Sequence, residues 1–418
     1  MTRIHALFST PLSLAVACLC GLTASLHAAA PNAPRAPVAP APLSVEAGRF
    51  QRAGLPYHGI GLNYFDGFQR QLQTDTPAGA RRGYVDGFRV LAEHEIPFVR
   101  FAACGFYPSE WRLYRDQPEQ YFALLDGFVR EAEQRGVGLI PSLFWAFFAI
   151  PDLVGEPIQA WGDPAGQTRA FMRRYTTDVV LRYRSSPAIW AWEFGNEYLL
   201  EADLPGTNSA EHWIVPKLGT PKTRTDADKI RSTDVLSAYR EFAELVRRLD
   251  PRRPVMTGNT VPRAAAWHLR GGLGWKADSL KQAREVILGD NPDPHDTLSA
   301  HVYSNFPDVP HYFMPRRPVV ETIEALLALS KESGKPLWLG EFGADAKVPL
   351  AERRRQTEAW VALIEEKRVP LSALWVFDTL NQEVQAWNVT AKNENAWALN
   401  LLRDANRRLR TPAPTPSH

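Results

Sequence analysis

The 418-residue chain is 45% hydrophobic, enough for one large domain or two ordinary ones. Its formal net charge of +2 offers neither the basic field that attracts nucleic acid nor an acidic solvating tail. The 13 Trp either fill a large core or stack on flat apolar ligand faces such as those of sugar rings, and composition leaves both open.

Residues 1–30 read as an export signal: Arg3 gives a positive start, 6–26 is apolar without charge, and Ala28, Ala29 and Ala30 suit cleavage after Ala30. Ser9, Pro11, Ser13, Thr23 and Ser25 dilute the apolar run, which argues against stable membrane insertion, and the expected location is secreted or periplasmic. A lipid anchor on Cys18 is the alternative, disfavoured because apolar residues continue past it. Cys18 and Cys20 lie inside the signal, so the mature chain keeps only Cys104, forms no internal disulfide, and is expected to bury that thiol. A Pro-rich linker occupies 31–44 and a Pro-rich tail 411–418, with one domain over 45–410 between them.

Inside that domain, apolar runs at 58–63, 98–102, 138–143, 189–193, 255–257, 298–302, 337–340 and 371–377 predict buried parallel strands. Helical periodicity falls between them at 82–94, 119–135, 167–183, 235–249, 323–330 and 351–366. Eight such units predict an α/β fold, a single (β/α)8 TIM barrel with long βα-loop insertions at 199–234 and 260–296. An open doubly wound sheet would carry a Gly-rich phosphate turn after its first strand, and none is present.

Two strands run straight into carboxylates: Ile189-Trp190-Ala191-Trp192-Glu193-Phe194-Gly195-Asn196-Glu197 and Leu337-Trp338-Leu339-Gly340-Glu341-Phe342-Gly343. A charge at the mouth of an apolar strand costs desolvation, so structure alone would avoid it. Glycosidic hydrolysis needs two carboxyls facing one bond, and the fourth and seventh strands of a barrel can present them across one mouth. HExxH, zinc-spaced Cys/His clusters and G-x-S-x-G are all missing from the sequence, and Gly271–Lys276 has the wrong spacing for a phosphate loop. No metal or cofactor is expected.

With Phe98-Val99-Arg100, His301-Val302-Tyr303 and Trp375 added, the ordered set resembles the cellulase-type glycoside hydrolases, nearest to family 5, over about 55–380. The resemblance implies a retaining O-glycosyl hydrolase acting on β-1,4-glucan or β-mannan, with Glu197 as acid/base and Glu341 as nucleophile. It further implies that Asn196 bonds the sugar 2-hydroxyl, Arg100 keeps Glu341 ionised, Tyr303 donates to Glu341, His301 lines the subsite and Trp375 floors it. Glu193 reads as a structural partner below the mouth. Tyr198 stands where many relatives have Pro, which loosens any tie to one branch. Asn63, Tyr64, Trp145, Trp161 and Trp387 are further candidates for substrate contact or core. The expected partner is an oligo- or polysaccharide. Transglycosylation by the same pair and a non-catalytic glycan-binding barrel are the competing functions, and oligomeric state is left open.

Overall fold

The computed structural model describes residues 42–73, 77–205, 214, 216–305 and 318–410. The export signal and the tail 411–418 lie outside the described residues, as does nearly all of the linker.

Eight parallel strands form a nearly closed barrel: β1 (Gly59–Asn63), β2 (Phe98–Ala102), β3 (Gly138–Phe144), β4 (Trp192–Gly195), β5 (Val255–Met256), β6 (Leu298–Tyr303), β7 (Leu337–Gly343) and β8 (Leu371–Leu374). They are hydrogen-bonded in the order β5-β4-β3-β2-β1-β8-β7-β6. A helix of ten or more residues follows each strand, with shorter helices in several of the connections: α1 (Tyr84–Glu93), α2 (Pro118–Arg135), α3 (Gln167–Tyr183), α4 (Ser232–Leu249), α5 (Leu280–Gly289), α6 (Val319–Ser333), α7 (Leu350–Glu366) and α8 (Trp397–Arg410). The fold is the expected (β/α)8 barrel.

The pattern that makes these helices is plain in α4, which buries Val235, Ala238, Tyr239, Phe242, Ala243 and Val246, a stripe of period 3.6. Each large apolar side chain so buried contributes about 1.5–3 kcal/mol. α2 starts with Pro118 in its first turn, where no intrahelical N–H is lost, and stops at Gly136, whose φ of 68° few other residues adopt cheaply. α5 opens on a capping box, with Ser279 Oγ accepting from the Gln282 N–H at 3.3 Å.

A second core fills the barrel itself, from Phe98, Ile140, Trp190, Met256, Trp338 and Leu371. Leu43 and Phe50 join it from a small antiparallel sheet (Leu43–Glu46, Arg49–Arg52, Leu55–Pro56). That sheet begins at Leu43, two residues inside the stretch assigned to the linker. Its first turn places Ala47 and Gly48 at φ 48° and 71°, the twist a tight hairpin demands.

β5 and β6 share no ladder, and the seam between them is fastened locally. The Val255 N–H donates to the Asp296 carboxylate at 2.7 Å and the Asp296 N–H to the Val255 carbonyl at 3.0 Å. Asn291 Oδ1 accepts from Thr257 Oγ1 at 2.9 Å and from the Ser299 N–H at 3.0 Å. Thr260 Oγ1 donates to the His301 carbonyl at 3.1 Å.

Several expected boundaries move. β4 begins at Trp192, because Ile189 makes only an isolated bridge to Leu139. β7 runs through Glu341 to Gly343, and β8 stops at Leu374, one residue before Trp375. The long connection after β5 holds a short helix (Ala266–Arg270) and α5, with Gly271–Lys276 as the link between them. Cys104 is fully buried, accepts from the Trp145 N–H at 3.3 Å, and burial pushes its thiol pKa up.

Candidate active site

The C-terminal ends of β2, β4, β6 and β7 converge on one cluster of charge. Arg100, fully buried on β2, is its hub. Its Nε donates to Glu193 Oε1 at 2.6 Å, Nη1 to Glu341 Oε1 at 2.8 Å and to Asn63 Oδ1 at 3.2 Å, and Nη2 to Asn196 Oδ1 at 2.9 Å. The guanidinium also lies over the Trp145 ring, 4.5 Å from its centre. Glu193 Oε2 takes the Trp338 indole N–H at 2.9 Å, so this buried carboxylate is satisfied on both oxygens and stands below the mouth.

Glu341 is 5% exposed. Its Oε2 accepts from the Tyr303 hydroxyl at 2.5 Å. Burial raises its pKa and nearby Glu197 adds to the rise, while His301, Arg100 and Tyr303 pull the other way. Glu197 follows β4 at a φ of 53°, a left-handed turn that breaks the strand's alternation and lifts its carboxyl one level above Glu193. Its N–H is tied to the Gly258 carbonyl at 3.0 Å, and its side chain is 24% exposed. Burial pushes the Glu197 pKa up to about 7, against the smaller opposing pulls of Arg100, Arg263 and a Thr260 hydrogen bond.

His301 joins the two sides. Its Nδ1 is 2.7 Å from Glu197 Oε1 and 3.6 Å from Glu341 Oε1. Burial lowers its pKa to about 4, so the ring is neutral. Nε2 has no hydrogen-bond partner among the described residues and faces Gly340, which assigns the proton to Nδ1. Donor atoms of Glu197, His301 and Glu341 all lie within 4.8 Å of one another. Such a trio can ligate a metal, but a cation there would sit against Arg100, so the cluster is better suited to sharing protons.

The cellulase model of glycosyl hydrolase family 5 matches residues 75–380. The chain belongs to glycosyl hydrolase family 5. Mannan endo-1,4-β-mannosidase A of Podospora anserina is 40% identical over 231 residues, 53% of this chain and 51% of that protein. The family 5 chain thus spans about half the length of this curated relative. Solved structures share the fold at low identity. The endo-1,4-β-mannanase of Rhizomucor miehei superposes with a TM-score of 0.60 at 14% identity over 89% of this chain and 100% of that one. The endo-β-1,4-mannanase of Thermotoga petrophila gives 0.59 at 15% over 85% and 77%, and the Pyrococcus horikoshii endocellulase 0.55 at 12% over 89% and 100%.

Of the residues singled out in this family 5 sequence, Arg100, Asn196, Glu197, His301, Tyr303 and Glu341 all meet in the one cluster. Trp375 stands beside it, half-buried, its ring stacked on Phe65 at 5.3 Å and parallel to Trp145 at 6.4 Å. Asn63 is buried scaffold, donating to the Gly340 carbonyl at 2.9 Å and accepting from Arg100. Tyr64 is buried too, its hydroxyl on Asp378 Oδ2 at 2.6 Å, and Trp161 is core. Trp387 is half-buried, 6.0 Å from Tyr303, with its N–H on the Ala344 carbonyl at 2.7 Å. Sequence reasoning missed Gly258, Thr260 and Gly340, which anchor or abut Glu197 and His301. Only the Gly258-Asn259-Thr260 run after an apolar pair hinted at the first two. A cavity of about 230 Å³ opens beside Glu197. A larger one, about 570 Å³, lies beside Gln71, Arg82 and Arg112 and touches none of these carboxylates.

Proposed function

We propose that the chain is a retaining β-glycoside hydrolase that cleaves β-mannan or β-1,4-glucan by double displacement. Glu341 attacks the anomeric carbon while Glu197 protonates the departing oxygen, and Glu197 then deprotonates the water that opens the glycosyl ester. The observation that carries this reading is the approach of the two carboxyls, whose nearest oxygens lie within 4.8 Å. A retaining pair stands about 5–5.5 Å apart, whereas an inverting pair needs about 6.5–9.5 Å to admit a water. The environments support the division of roles. Glu341 is held by Arg100 and Tyr303, which favour its ionised form, while Glu197 holds a proton to about pH 7.

Asn196 would meet the sugar 2-hydroxyl. Its Oδ1 is engaged by Arg100, which leaves the amide N–H groups without a partner among the described residues. Trp375 would floor the glycone. Mannan is favoured over glucan by the Podospora anserina relative. Residues 1–30 would direct export and be removed, 31–44 would tether the catalytic domain at 45–410, and 411–418 would trail it. Among the described residues, no helix is long and apolar enough to cross a membrane.

The test is Glu341→Ala assayed on manno- and cello-oligosaccharides. Turnover is expected to vanish, and azide is expected to restore it with an inverted glycosyl azide as product. A rate within about tenfold of the parent would remove Glu341 from the mechanism, since covalent catalysis supplies more than one factor of ten.

A further inference from the structure

The cavity beside Glu197 has a chemical character of its own. Phe106, Trp145, Phe147, Phe148 and Leu200 make most of its wall. Glu341, Tyr303 and Trp375 do not line it. A group that takes its proton from Glu197 departs on Glu197's side, away from the attacking Glu341, so this cavity receives the leaving group. That step rests on the hydrolase reading above.

The polar side chains in the wall are few, their named oxygens are engaged, and the Asn196 amide N–H groups are reserved for the glycone 2-hydroxyl. Asn196 Oδ1 accepts from Arg100, Glu197 Oε1 faces His301, and Glu201 Oε1 accepts from Arg263 Nη2 at 3.1 Å. A hexose seated here would turn several hydroxyls toward aromatic carbon, and a desolvated hydroxyl without a partner is unfavourable. A phenyl ring has no such groups and packs edge-to-face with the Phe106–Phe148 pair, whose centres are 5.8 Å apart at 75°. At about 230 Å³ the space is smaller than the ~300–1,000 Å³ of drug-sized sites, so it takes one ring, and any further units of a leaving group would lie outside it.

We infer that the cavity bounded by Phe106, Trp145, Phe148 and Leu200 is a leaving-group site for a single apolar ring, so that the chain cleaves arylalkyl β-glycosides in preference to disaccharides of the same glycone. The bond balance is that of the parent reaction. The anomeric C–O bond breaks as Glu341 forms its ester, the Glu197 proton leaves with the arylalkyl alcohol, and water then releases the free sugar.

The experiment compares kcat/KM of the full chain on 2-phenylethyl β-mannoside and on mannobiose, with the matching glucosides as a second pair. 2-Phenylethanol is a weaker acid than a sugar hydroxyl, so leaving-group chemistry alone favours the disaccharide, and a ratio above one reads the cavity. The phenylethyl substrate is expected to be at least tenfold better. Phe106 is half-buried, and Phe106→Ser should narrow that ratio at least fivefold; Phe106→Tyr, which keeps the ring and adds one hydroxyl, should narrow it if the serine variant does not fold. A parent ratio at or below one overturns the inference, and a high ratio unmoved by either variant overturns the assignment to this cavity. If no β-mannoside, β-glucoside, mannan or cellulose is cleaved, the hydrolase reading itself fails.

Discussion

Gly340 sits on β7 where the register with both neighbouring strands shifts, and its Cα faces the His301 ring. An added Cβ would lie 2.6 Å from His301 Nε2 and 3.2 Å from Trp338 Nε1. The backbone there is not in the left-handed region, so Gly340→Ala introduces a contact and no dihedral strain. To restore an ordinary separation of 3.4 Å the ring must shift by roughly 0.8 Å (3.4 minus 2.6). The Nδ1···Oε1 contact to Glu197, at 2.7 Å, has no slack to absorb that shift, so Glu197 must swing. A misplacement of about 1 Å can cost on the order of 100-fold in rate, about 2.7 kcal/mol of barrier. We therefore expect Gly340→Ala to lower kcat/KM on soluble manno-oligosaccharides by about 100-fold, with overpacking costing about 1–3 kcal/mol of stability in urea unfolding. The decisive measurement is a double-mutant cycle with His301→Ala: once the ring is gone, adding Ala at 340 should cost less than about threefold in rate. Equal losses in the two backgrounds would refute transmission through His301.

Three further outcomes follow from the cluster. The kcat/KM profile should be bell-shaped, falling above about pH 7 as Glu197 loses its proton and falling at low pH as Glu341 gains one. Glu197→Gln should abolish the alkaline limb, and because the folded Glu197 pKa lies above its unfolded value, that variant should also lose less stability than the parent between about pH 4.5 and pH 7. Glu193→Gln should destabilise by about 3–5 kcal/mol in urea unfolding, because it leaves a buried guanidinium short of one counter-charge and sets an amide N–H against a donor. Asn63→Ala should lower stability while leaving KM within about twofold, since Asn63 bonds Arg100 and three backbone carbonyls; a large KM change alone would return it to the substrate face.

The barrel was legible because its strands are buried on both faces and so read as unbroken apolar runs, and helix α3 matches its expected span of 167–183. The carboxylates at 197 and 341 were legible for the opposite reason, as charges where apolar strands end. What escaped was set by tertiary context. α5 was hidden in a Gly- and Trp-rich connection, and α8 among charges that its solvent face requires. Asn63 and Tyr64 could be read equally as substrate contacts or as core, because the partners that decide the matter come from β7 and β8 and from Asp378, over 270 positions away. No local pattern encodes such a partner. Gly340 left no trace either, since its importance lies in an atom it lacks.

Seven of the eight joints in the barrel wall are ladders, and the eighth is a short row of clasps around Asp296, Asn291 and Thr260. Glu197 is carried on one side of that joint, and His301 and Glu341 on the other. A ring under thermal stress yields where it is least tied, so excursions that separate Glu197 from Glu341 should begin there, well before the wall as a whole gives way. Activity would then be lost on heating at temperatures where the helices are still intact.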